Sequence, residues 1–120
     1  MTSVSSNPPR KGDVWLVDFN PTKGHEIDKC RPAVVISSDD IGRLELKIVV
    51  PVTDWKPHYE HSEWFTHLSV SLKNGLSKES GADGFQVKSV SLDRFKEKLG
   101  EVDEDDLYII LNTVALCIGI

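Results

Sequence analysis

Apolar residues fall into short runs with the two-residue period of strands along most of the chain, and only the C-terminal segment changes to the spacing of a helix. Val14-Trp15-Leu16-Val17-Asp18-Phe19, entered through Gly12-Asp13 and closed by Asn20-Pro21, reads as a first strand. Arg31-Pro32 opens a second, Ala33-Val34-Val35-Ile36-Ser37, where proline presets an extended start. In a third strand Leu46, Ile48, Val50 and Val52 alternate toward Thr53; in a fourth Leu68, Val70 and Leu72 alternate, ended by Asn74-Gly75. Gly81 and Gly84 bracket a turn before a fifth strand, Phe85 to Val90. Leu92-Asp93-Arg94-Phe95 predicts a tight turn and Lys98 to Val102 a short sixth strand. Between Asp54 and Phe65 there is no consistent period, and this stretch predicts a surface loop. The tail differs: Asp103 can cap a helix in which Leu107, Ile110, Leu111, Val114, Ala115 and Ile118 form one stripe. Five or six strands and one amphipathic helix predict a mainly β domain, a small curled antiparallel sheet or barrel with the helix over one opening.

Composition narrows the class. At 120 residues the chain fits one domain, expected over 11–120 after a Ser/Asn/Pro-rich leader at 1–10 that is expected to be disordered. No apolar stretch approaches the roughly 18 residues of a helical membrane span. Two cysteines, Cys30 and Cys117, are too few for a disulfide framework, and a cytoplasmic protein with no membrane partner is expected. The net charge of −5 argues mildly against a general nucleic-acid binder, but five of the nineteen acids sit in Glu101 to Asp106, where they suit a helix start. The rest of the chain is neutral, which leaves room for a local basic face.

Candidate chemistry comes from smaller clues, because no nucleophile-elbow, phosphate-loop, dinucleotide or zinc-protease fingerprint is present. The four histidines and Cys30 lack the paired spacing of metal ligands, so no metal or cofactor is expected. Arg31 closes a flexible Gly/His/Glu loop at a strand start, where a guanidinium fork suits a phosphate; it equally suits an ion pair with Asp28 or Glu26. Thr53 places a hydroxyl at a strand end. The stretch from Trp55 to Phe65 mixes flat rings with Lys and His, a composition suited either to stacking unpaired bases or to a half-buried core.

Gly12 to Glu26, with Trp15-Leu16-Val17-Asp18-Phe19-Asn20-Pro21 at its centre, and then Cys30-Arg31-Pro32-Ala33-Val34-Val35-Ile36-Ser37 resemble the N-terminal signature of the MazF/PemK/Kid toxins. The resemblance continues through Val49-Val50-Pro51-Val52-Thr53 and Gln86-Val87-Lys88-Ser89-Val90 to the C-terminal helix. It implies an SH3-like barrel and a homodimeric, metal-independent endoribonuclease of a type II toxin–antitoxin system. The implied partners are single-stranded RNA and an antitoxin whose acidic tail folds over the groove at Arg31, with DNA met only through the toxin–antitoxin complex. Arg31 and Thr53 map onto leading catalytic positions, and His25 corresponds to a loop histidine of Kid-like members. Lys23, Glu26, Trp55, Lys56, Gln86 and Lys88 are the expected RNA-binding residues. One position departs from the pattern: some members carry an acid immediately before the Gln of the fifth strand, and here that residue is Phe85. Two other readings stay open, a CcdB-like poison of DNA gyrase and a barrel that binds without cutting.

Overall fold

The computed structural model describes residues 7–120. Residues 1–6 of the expected leader lie outside the described residues. At its end Pro9 is buried, and Arg10 joins the domain through its N–H on the Asp13 carboxylate at 2.8 Å and its guanidinium 3.4 Å from Asp39.

Seven strands precede one helix: β1 (Asp13–Asp18), β2 (Cys30–Val35), β3 (Leu46–Asp54), β4 (Phe65–Leu68), β5 (Ser80–Asp83), β6 (Lys88–Ser91), β7 (Phe95–Glu101) and α1 (Glu104–Cys117). All pairings are antiparallel, in the order β4-β5-β3-β2-β1-β7 with β6 also on β3. Strand β3 serves both: Leu46 to Val49 pair with β6, Val52 to Asp54 with β5. Alternation sends Val14, Val34, Val50 and Val52 into one apolar cluster, which Ile110 of α1 covers, and Val17, Ala33, Val35 and Val49 into a second with Phe19 and Val90. Both faces of the central strands are therefore buried, as their Val/Ile runs require. The two ends of the sheet meet through a turn: the Glu101 N–H donates to the Lys73 carbonyl at 2.9 Å.

The mainly β architecture with a C-terminal helix matches the sequence expectation; several element boundaries do not. The predicted fourth strand at 68–72 ends at Leu68, and Leu72 is fully exposed. A side chain explains this. Buried Asn74 accepts from the Ser71 and Leu76 N–H groups and donates to the Ser69 carbonyl, giving the backbone a turn in place of a ladder. The turn predicted at Gly81 and Gly84 is instead β5, four small or polar residues that are all buried and carry no apolar period. Phe85 to Val90 is not one strand: Gly84–Gln86 is a 3-10 turn capped by Asp83, which accepts from the Phe85 N–H at 3.1 Å, and β6 follows. The expected loop after Asp54 holds a 3-10 turn at Pro57–His61, and the sixth predicted strand begins earlier, at Phe95. The helix starts where predicted, with Asp103 accepting from the Asp106 N–H at 2.8 Å. Among the described residues no helix is long and apolar enough to cross a membrane.

Candidate functional site

The start of β2 and the end of β3 diverge beyond their last paired residues, Ala33 and Pro51, and leave an open cleft of about 420 Å³. Arg31, Thr53, Asp54, Lys78 and Ser80 line it. The antiparallel register, continued by two residues, sets Arg31 opposite Thr53, and alternation puts both on the sheet face of Ala33 and Val49. The Arg31 Nε–H donates to the Asp28 carbonyl at 3.0 Å, and the guanidinium lies 3.8 Å from the Asp28 carboxylate. The ion pair left open by the sequence therefore forms with Asp28, but at a long distance. Among the described residues no other protein acceptor meets the guanidinium, so the fork keeps donors for an anion. Lys78, 3.2 Å from Asp54, adds a second cation that sequence reasoning missed, because nothing local marks the turn before β5 as part of the cleft.

His25 and Glu26 line a neighbouring cleft of about 360 Å³ with Pro51, Gln86 and Lys88. Pro51 and Thr53 lie two residues apart on β3, on one face, so the clefts adjoin. The loop at 23–29 is built from its own groups: the Glu26 carboxylate accepts from the Lys23 N–H at 2.6 Å, and the Glu26 N–H donates to the Lys23 carbonyl at 3.2 Å. Gln86 ties that loop down. Its amide donates to the His25 carbonyl at 2.9 Å and accepts from the Ile27 N–H at 3.0 Å. The His25 ring is exposed, and no hydrogen bond joins it to Arg31 or Thr53 among the described residues. Lys23 is exposed on the same loop, and Lys88 is half-buried on β6. A buried acid that sequence reasoning did not single out stands three residues before Gln86: Asp83, the cap of the 3-10 turn. Burial pushes its carboxyl above the ordinary range, against the pull of the Phe85 and Gln86 N–H groups. Burial and the Asp83 charge raise the Cys117 thiol in turn.

Trp55 leaves β3 beyond Thr53 and joins a ring cluster. It stacks on His67, centroids 4.2 Å apart and planes 11° off parallel; Tyr59 stands edge-on at 5.7 Å and itself stacks on Phe65 at 3.9 Å. Gly81 makes room, because a methyl there would lie 3.1 Å from both the Trp55 and Phe65 rings. Lys56 is exposed beside the cluster. Among the described residues no three His, Cys, Asp or Glu side chains gather where they could hold a metal ion.

The chain has relatives among known proteins. Residues 10–118 match the family model described as PemK-like, MazF-like toxin of type II toxin-antitoxin system. The chain is 30% identical over 104 residues to the endoribonuclease MazF9 of Mycobacterium tuberculosis (strain ATCC 25618 / H37Rv), covering 82% of this chain and 86% of that protein. It is similar to the crystal structure of MazF from Deinococcus radiodurans, with a TM-score of 0.80, 26% identity and coverage of 95% of this chain and 99% of that one. A MazE-MazF crystal structure from the same organism has a TM-score of 0.72 at 25% identity, covering 95% and 98%.

Proposed function

We infer the activity from one premise: the chain belongs to the PemK-like, MazF-like toxins of type II toxin–antitoxin systems. It is an endoribonuclease toxin. The observation that carries a mechanism is the cleft in which Arg31 and Thr53 face each other across two strand ends. The reaction is cleavage of single-stranded RNA without a metal. A ribose 2′-oxygen attacks the adjacent phosphorus, the bond to the 5′-oxygen breaks, and the products carry a 2′,3′-cyclic phosphate and a 5′-OH. Arg31 and Thr53 donate hydrogen bonds to the oxygens on which negative charge grows, a contribution of about 100-fold or more per donor. His25, exposed on a loop over the adjoining cleft, is the candidate to take the 2′-OH proton or protonate the leaving oxygen. Lys23, Lys56 and Lys88 supply positive charge for the strand, and Trp55 a stacking surface. Glu26 and Gln86 act through the loop they hold.

The D. radiodurans MazE-MazF structure supports an antitoxin partner, and the open Arg31 donors suit an acidic tail laid over the cleft. A homodimer is supported by the apolar surface of Ile41, Leu44, Leu46 and Ile48, all exposed in the single chain. DNA is met only through the toxin–antitoxin complex, and the compartment is the cytoplasm.

Incubation of purified protein with a long single-stranded RNA in excess EDTA, beside Arg31→Ala, tests the reading. Discrete cuts with cyclic-phosphate and 5′-OH ends, lost in the variant while its circular dichroism is unchanged, are expected. Cutting that needs an added metal, or an equally active Arg31→Ala, overturns the mechanism. A folded protein that cuts no RNA overturns the nuclease reading.

A further inference from the structure

Phe85 is a large apolar ring, 65% exposed, on the wall of the His25 cleft, and burial within this chain does not account for it. Its backbone is nonetheless held firmly. The Phe85 N–H donates to the Asp83 carboxylate at 3.1 Å, and the next side chain, Gln86, is tied to the loop at His25 and Ile27. The ring meets Trp64 nearly at a right angle, centroids 6.2 Å apart and planes 79° off parallel. Whichever of the two offers its edge, one face of Phe85 is left, and no other aromatic ring packs on it among the described residues. A flat surface is therefore available on an anchored turn, which lowers the ordering cost of binding to it.

The other lining residues narrow the ligand. Lys88 lines the same cleft, and among the described residues no carboxylate pairs with it. Glu26, the acid of this lining, accepts from the Lys23 N–H at 2.6 Å. A flat apolar face and an unpaired cation in one concavity suit a ligand that joins a flat ring to an anion, which a nucleotide does. Position matters as well. Pro51 of this cleft and Thr53 of the phosphate cleft lie two residues apart on one face of β3, about 7 Å, so a strand held at Arg31 and Thr53 carries a neighbouring nucleotide here. A carboxylate at position 85 would set a negative charge against that nucleotide's phosphate, and the ring sets none.

We propose that Phe85 is a stacking platform for the unpaired base of a nucleotide adjoining the cut, whose phosphate Lys88 holds. This subsite rests on the nuclease reading above and lies outside the pair Arg31 and Thr53. Every base has a π face, so the platform anchors the strand and leaves the choice of base to other contacts.

The test maps a cut on native RNA and then measures binding of an all-2′-O-methyl strand spanning it, with a single abasic nucleotide placed at each position in turn. Wild type, Phe85→Leu and Phe85→Tyr are compared. The wild type should lose about tenfold in affinity when the abasic nucleotide stands at one position adjoining the cut, the scale of one stacked base. Phe85→Leu, apolar but not flat, should bind the intact strand about tenfold more weakly and lose nothing further at that position. Phe85→Tyr keeps a flat ring and should behave as the wild type does. A Phe85→Leu that shows the same abasic losses as the wild type at every position overturns the subsite and leaves the nuclease standing. Light scattering tests the other use of an exposed ring: a Phe85→Leu that no longer has the oligomeric state of the wild type places Phe85 between copies of the chain and overturns the subsite too. A folded wild type that cuts no native RNA overturns both readings.

Discussion

The side-chain amide of Gln86 reaches the backbone on both sides of Glu26, at the His25 carbonyl and the Ile27 N–H, and a glutamine suits this because its planar end carries both a donor and an acceptor. Gln86→Ala removes both bonds, and about 1 kcal/mol of stability should go with them. The sharper readout is local: the Ile27 amide should exchange with solvent faster in Gln86→Ala, while the core amides of β2 and β3 change only with global stability. Unchanged exchange at Ile27 would contradict the tether. Asp83 makes a pH prediction. Burial raises its folded pKa above the unfolded value, so the native state holds a proton that the unfolded state has released, and stability falls as pH rises through that interval. Asp83→Asn removes this penalty and keeps an acceptor for the Phe85 N–H. Denaturant unfolding across acidic to neutral pH should show the variant gaining on the wild type as pH rises; a constant difference would mean Asp83 does not carry the burden. Neither role could be read in the sequence, where Gln86 is one polar residue in an apparent strand and Asp83 one acid between two glycines.

At the scale of elements, apolar period was enough for the strands that are buried on both faces and for the helix. Val14 to Val17, Ala33 to Val35 and Val49 to Val52 announce themselves by residue type, and α1 by its stripe and its Asp103 cap. The failures share a cause. Ser80–Asp83 is hidden by being small, and Val70 and Leu72 alternate like a strand while Asn74 bends their backbone away. The site was legible in the same partial way: Arg31 and Thr53 stood out at strand ends, whereas Lys78 joins them only because β5 pairs beside β3. The turn that Asn74 builds leads to a close crossing. A methyl on Gly100 would sit 2.3 Å from the Lys73 carbonyl oxygen, a backbone atom that cannot swing aside as a side chain does. Gly100→Ala should therefore cost more than about 2 kcal/mol, because the Glu101-to-Lys73 hydrogen bond must open to admit it. Urea unfolding measures this, and a loss under about 0.5 kcal/mol would mean that the sheet ends are not held there.

On the scale of the whole molecule, an acidic protein has to hold a polyanion, and the arrangement of charge decides whether it can. The net charge is −5, yet Glu104, Asp105 and Asp106 crowd the first turn of α1, where the helix dipole favours them. The cations Arg31 and Lys78 line one cleft and Lys88 the other. At physiological salt the screening length is about 8 Å, and the acids of the helix start line neither cleft, so a strand there meets the cations beside it, with Asp54 and Glu26 as the acids lining the same clefts. Each phosphate neutralised on a single strand releases counterions, giving about −0.7 in the slope of log affinity against log salt, so three such contacts predict a slope near −2 per protomer. An all-2′-O-methyl RNA has no 2′-OH to attack and allows the binding constant to be measured without cleavage, by fluorescence anisotropy over a salt series. Lys88→Ala should make the slope shallower by about 0.7, since it removes one phosphate contact and leaves Arg31 and Lys78 in place. A wild-type slope near zero would show that the net charge governs, and the basic face would then not be where RNA lies.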